Sequence, residues 1–175
     1  TSGYRTIIGV SDYDMAEELR LTDAFLAWRP AALVLTGIDH DPALADRLRM
    51  AGARCIELMD ITETPVDIVI GFSHHAAGLR SARHLAERGY RRIGYVGHDL
   101  ARDPRAAKRH SGFLDGLAQA GLSLMAEVIL PAPSSVGAGR AATGTILSER
   151  PDLDAIYFSN DDMAIGGLFH ALGAG

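Results

Sequence analysis

Arg92-Ile93-Gly94-Tyr95-Val96-Gly97 is the stretch on which the fold turns. It is a short, nearly continuous apolar run, followed by a long helical pattern at Pro104–Ala120 and a second run at Glu127–Leu130. A strand that is apolar on both sides, without alternation, is what a parallel strand covered on both faces requires. The helical pattern carries Ala107, Phe113, Leu114, Leu117 and Ala118 on one stripe with Arg and Lys opposite, a buried face. Gly121 falls where a C-terminal cap belongs.

The same unit repeats outward in both directions. Further strand candidates are Thr6–Val10, Ala32–Thr36, Ala53–Met59, Asp67–Phe72 and Ala155–Ser159. Helix candidates are Asp14–Trp28, Pro42–Ala51, His75–Arg88, Val136–Glu149 and Asp161–Leu172. Gly52 and Gly89 sit at cap positions, and Pro30 and Pro151 follow helix ends. Strand and helix alternating every 25 to 35 residues, roughly, predict right-handed βαβ crossovers and an α/β fold with open parallel sheets.

One joint departs from the rhythm. Only Asp60–Val66 separates Ala53–Met59 from Asp67–Phe72, too short for a crossover helix. Two sheets meeting there are expected, with one lobe over residues 1–72 and another over 73–175. Residues 1–4 enter a strand with no helix before it, and Gly173–Gly175 follow directly on a helix. Both ends therefore read as truncated, and the chain as the middle of a larger protein.

The chain has 175 residues, the size of one average domain or two small lobes. Its net charge of −5, with Lys108 the only lysine, makes it a poor grip for a phosphate backbone. No apolar stretch is long enough to span a bilayer, and the start does not resemble a secretory signal. The single cysteine, Cys55, excludes an internal disulfide and fits a reducing, cytoplasmic compartment, although a processed periplasmic chain would look the same.

Open α/β sheets bind ligands where loops leave the carboxyl ends of the strands. The polar residues there are Ser11, Asp12, Tyr13, His40, Asp60, Ser73, His74, His98, Asp99, Arg102, Ser159, Asn160 and Asp161, some of them simple helix caps. Gly71-Phe72-Ser73-His74-His75 has a histidine where a nucleophile elbow needs glycine, so Ser73 reads as a cap. Gly137-Ala138-Gly139 with Gly144 has the wrong spacing for a dinucleotide loop and reads as helix packing; no cofactor is expected. The histidines show no metal-ligand spacing, and Asp161-Asp162 and Asp12/Asp14 sit at helix starts, where the positive end of the helix favours them. Neither a metal nor an enzyme is expected. Arg105-Ala106-Ala107-Lys108-Arg109 is the most basic stretch: either a solvated face, or an arginine fork offered to a carboxylate or vicinal hydroxyls.

Three segments then align with a known pattern. His84-Leu85 with Gly89-Tyr90-Arg91-Arg92-Ile93-Gly94-Tyr95-Val96-Gly97, Arg109-His110-Ser111-Gly112-Phe113, and Ser159-Asn160-Asp161-Asp162-Met163-Ala164-Ile165-Gly166 resemble the effector-binding core of LacI/GalR-family repressors, in order and spacing. Ile61-Thr62 to Pro65 followed by Gly71-Phe72-Ser73-His74 resembles the gluconate-operon repressor subgroup. The resemblance implies a periplasmic-binding-protein-like domain of two Rossmann-like lobes that closes on a small polar effector and homodimerises. It also implies operator DNA binding through a helix-turn-helix module that lies outside this chain. By position, Arg109 matches the effector-contacting arginine, and Asn160 and Asp161 the polar turn that bonds ligand hydroxyls. Asp12, Arg105 and Ser134 complete the candidate ligand set.

Ser73-His74 stands where many members carry Asp-Asn, and Pro133-Ser134-Ser135 lacks the aromatic that stacks on a sugar ring or base. Losing that ring face while keeping Arg109 favours an extended, charged ligand: gluconate or a phosphorylated relative. A periplasmic sugar-binding protein of a transport system is the alternative. Met163, Ile165, Phe169 and Leu172, with the surroundings of Trp28, are core or dimer positions, core being preferred.

Overall fold

The computed structural model describes residues 3–173, and they divide into two compact units, Thr1–Phe72 and Ser73–Gly175.

In the first unit, β1 (Leu33–Thr36), β2 (Cys55–Leu58) and β3 (Ile68–Ile70) form a parallel sheet in that order. The register puts Leu35, Glu57 and Val69 in one row and Val34, Ile56 and Ile68 in the next. Helices α1 (Met15–Leu26) and α2 (Pro42–Ala51) start on aspartate caps, Asp14 and Asp41, whose carboxylates accept the first free N–H groups. Gly52 closes α2 in the left-handed conformation, φ +61°, where any Cβ is strained. Leu44 and Leu48 of α2 pack on Leu33, Leu35 and Cys55, with Leu19, Phe25 and Leu26 of α1 around them.

Three expectations fail in this unit. Thr6–Val10 forms no strand: Gly9 comes close to Phe25 and Leu21 of α1, while the segment as a whole is exposed and has no ladder partner among the described residues. The short joint does not separate two sheets, because β2 and β3 pair directly. Strands this brief need only about 7 Å of return travel, which a helix-free loop spans easily. Finally, this sheet is not covered on both faces: Val34 of β1 is 58% exposed and Ile70 of β3 59%, on the face away from α1 and α2.

The second unit fits the reading closely. Strands β4 (Ile93–Gly97), β5 (Ala126–Ile129) and β6 (Ala155–Phe158) form a parallel sheet ordered β5-β4-β6. Every residue of the central β4 is buried. On one face lie α3 (His74–Glu87) and α4 (Pro104–Gln119), sealing Ala82, Ile93, Phe113 and Leu117. On the other lie α5 (Val136–Glu149) and α6 (Asp161–Gly173), sealing Val96, Ala142, Ile146 and Met163.

Both helix pairs touch backbone to backbone. A Cβ on Gly78 would collide with the carbonyl oxygen of Arg109, and one on Gly112 with that of His75. Likewise Gly139 meets Met163, and Gly166 meets Val136. Gly139 is therefore a packing residue, not part of a phosphate loop. Of the four α6 positions, Met163 is core, whereas Ile165, Phe169 and Leu172 are exposed, as is Trp28. The preference for core fails at Ile165, Phe169 and Leu172 because they lie off the face that α6 turns to the sheet, and at Trp28 because it lies beyond the last turn of α1.

Candidate functional site

The carboxyl end of the β5-β4-β6 sheet gathers most of the polar residues singled out from the sequence. Ser159 follows β6 directly, and its N–H donates to the carbonyl of Val96 on β4. This fixes the turn that carries Asn160 and Asp161. His98 follows β4, and Asp103 caps α4 by accepting the N–H of Ala106 at 3.0 Å.

Arg109, one turn further along α4, reaches this corner with a half-buried side chain. Its Nη2 donates to the carbonyl of Ser159 at 2.8 Å, and its Nη1 to Nδ1 of His74 at 2.9 Å. A guanidinium can only donate, so His74 presents a lone pair at Nδ1 and is held as the neutral Nε2–H form. The close approach of α3 and α4 at Gly78 makes this contact possible, since His74 lies one turn before Gly78 on the same face. Two of the five N–H groups of Arg109 are thereby committed, and the rest are available to an acceptor.

Asn160 has a divided role. Its Oδ1 accepts the N–H of Met163 at 3.1 Å, capping α6, which leaves the amide NH2 to donate elsewhere. Asp161 is exposed in the first turn of α6, where the helix N-terminus favours its charge. Arg105 is not solvated: its side chain is 17% exposed, and Nε lies 4.0 Å from Asp103. Ser134 is half-buried on the loop after β5, which is tied to the loop after β4 by the bond from Asp99 N–H to the carbonyl of Ala132. Asp12 belongs to the first unit, in a tight turn with φ +49°. The structure thus brings Arg109 to the backbone beside Asn160 and Asp161 and places Arg105 one turn away on the same helix.

Sequence reasoning missed a buried chain behind this corner. His98 Nδ1 lies 2.8 Å from Ser159 Oγ, and His98 Nε2 lies 3.3 Å from Asp103 Oδ2. His98 and Ser159 stood out singly as polar residues at strand ends, but nothing in the sequence joined them to each other or to Asp103. Tyr95, on the α3/α4 face of β4, is wholly buried; its hydroxyl has no hydrogen-bond partner among the described residues. Burial pushes its pKa well up, so it stays protonated. A second cluster sits in the first unit, where His40 Nδ1 lies 2.8 Å from Glu18 and Nε2 3.7 Å from Glu57. Burial lowers the His40 pKa, but the bond to Glu18 and the charges of Glu18 and Glu57 outweigh it, and the net direction is up. Among the described residues, no group of three or more His, Cys, Asp or Glu could hold a metal ion, and no helix is long and apolar enough to cross a membrane.

Parallel α/β units with a donor-rich corner at the carboxyl strand ends define a ligand-binding domain. Residues 4–175 match the family described as periplasmic binding proteins and sugar binding domain of the LacI family, and the chain belongs to that family. It is 35% identical over 174 residues to the HTH-type transcriptional regulator GntR of Pseudomonas aeruginosa, covering 99% of this chain and 50% of that protein. The GntR of Escherichia coli is 30% identical over 167 residues, covering 95% and 50%. A LacI-family regulator from Silicibacter pomeroyi superposes with TM-score 0.93 at 35% identity, over 98% of this chain and 52% of that one. The transcription regulator GntR from Chromobacterium violaceum gives 0.91 at 36%, over 99% and 63%. These relatives are named transcriptional regulators, not enzymes. The chain spans about half the length of the curated relatives it matches.

Proposed function

We propose that this chain is the effector-binding and dimerisation region of a cytoplasmic transcriptional repressor that senses a sugar acid, gluconate or a phosphorylated relative. The observation that carries the reading is the state of Arg109: half-buried at the carboxyl strand ends, anchored on two sides, with N–H groups left over. Such a guanidinium suits a carboxylate or phosphate. Asn160 offers donors to hydroxyls beside it, and no aromatic follows β5 to stack on a ring. Relatives bearing the name GntR are in keeping with the gluconate subgroup.

Control is differential binding, without a chemical step. The effector binds one conformation of the whole regulator better than another, and a coupling of about 1–3 kcal/mol changes operator affinity roughly 5- to 150-fold. Operator DNA is read by a helix-turn-helix module outside residues 1–175. Pairing of two copies uses the exposed stripe Ile165, Leu168, Phe169 and Leu172 of α6, spaced along a single helix face.

Calorimetry tests the ligand class. Gluconate or 6-phosphogluconate binds the wild type, and Arg109→Ala removes the binding. Tight binding of neutral pyranosides with no binding of gluconate overturns the proposal.

A further inference from the structure

We propose that His98 and Ser159, anchored on Asp103, are positioning residues for Arg109; this rests on the reading of Arg109 as an effector contact. The three side chains come from separate elements: the end of β4, the end of β6 and the cap of α4. All are buried, at 6%, 4% and 6% exposure respectively for His98, Ser159 and Asp103.

The protons of this chain are assigned by elimination. The Asp103 carboxylate only accepts, and its other oxygen already holds the N–H of Ala106. His98 therefore carries its hydrogen on Nε2, and in the neutral ring Nδ1 is left as an acceptor. The Ser159 hydroxyl donates to it across 2.8 Å. Ser159 is thus gripped three ways: its N–H by Val96, its hydroxyl by His98, and its carbonyl by Arg109. A carbonyl held this firmly fixes the guanidinium that donates to it, and with His74 on the other amino group the plane of the fork is set before any ligand arrives. A pre-set fork loses less freedom on binding. The trio is not a nucleophilic triad, because the Ser159 hydroxyl is shut away from any substrate.

The test has a ligand-free arm and a ligand arm, both on the full chain. In 15N NMR without ligand, the Arg109 guanidinium of the wild type shows hindered rotation, which His98→Ala releases. His98→Asn, whose amide oxygen takes the place of Nδ1, restores it, a rescue that a general packing role does not produce. In calorimetry with gluconate, His98→Ala weakens binding roughly tenfold and has no further effect in an Arg109→Lys background, where the fork is gone but binding is still measurable. Ser159→Ala, which removes only the hydroxyl, gives the same direction if His98→Ala fails to fold. An Arg109 signal unchanged by His98→Ala or Ser159→Ala, or equal losses of affinity in both backgrounds, overturns the positioning role. A wild type that shows hindered Arg109 rotation but binds no gluconate overturns the ligand reading alone.

Discussion

The carbonyl oxygen of Arg109 occupies the space that a side chain on Gly78 would need. Two helices meet there without a methyl group between them, and that meeting brings His74 within hydrogen-bond reach of the arginine. Gly78→Ala must push α3 from α4. A destabilisation of about 1–3 kcal/mol or more is expected from forced overpacking, read by urea denaturation, together with weaker effector binding. Alanine at the solvent-facing Gly137, which meets nothing within 4 Å and lies in α5, lowers neither.

Arg109→Lys keeps the charge and loses the fork. A lysine ammonium cannot serve His74, the Ser159 carbonyl and a ligand carboxylate in one plane. Binding of gluconate falls by a factor of about 10 to 100, equivalent to one or two charge-assisted hydrogen bonds. The midpoint of thermal unfolding moves little, and calorimetry beside a melting curve separates the two effects.

His40 gives the first unit a pH signature. Its folded pKa is raised, so the folded chain holds a proton that the unfolded chain releases first. The stabilisation is full below the ordinary imidazole value of about 6.5 and is lost as pH rises through the folded value. Unfolding free energy of the wild type therefore declines with rising pH across that window, and His40→Gln flattens the slope. An unchanged slope in the variant contradicts the assignment.

Pairing through α6 is checked by charge. Leu168 and Phe169, at 57% and 52% exposure, tolerate Glu in a monomer without harm to the fold. If two copies meet there, Leu168→Glu or Phe169→Glu shifts sedimentation from dimer to monomer while ligand binding persists. A dimer that survives both substitutions places the interface elsewhere.

The elements were legible wherever local signals and tertiary packing agreed. Helices α2 and α5 span Pro42–Ala51 and Val136–Glu149, the residues expected, and Gly52 closes α2 as its cap position implied. The run at β4 is apolar throughout because helices cover both sides of it. Thr6–Val10 shows the opposite: its composition is that of a strand, but a strand also needs a partner to complete its ladder, which no composition encodes. The direct pairing of β2 with β3 was hidden because the crossover rule assumes longer strands. At the site, Arg109, Asn160 and Asp161 were readable as polar residues at strand or helix ends. The His98–Ser159 contact was not, since it joins residues 61 positions apart through the β4–β6 register.

The uncovered side of the β1-β2-β3 sheet carries a mechanical meaning. With one compact cluster of five buried apolar residues holding it, the first unit has fewer contacts to break than the two-sided second unit. Local opening requires less free energy there. Hydrogen exchange of residues 1–175 is therefore expected to run faster through the first unit than through the one that bears Arg109.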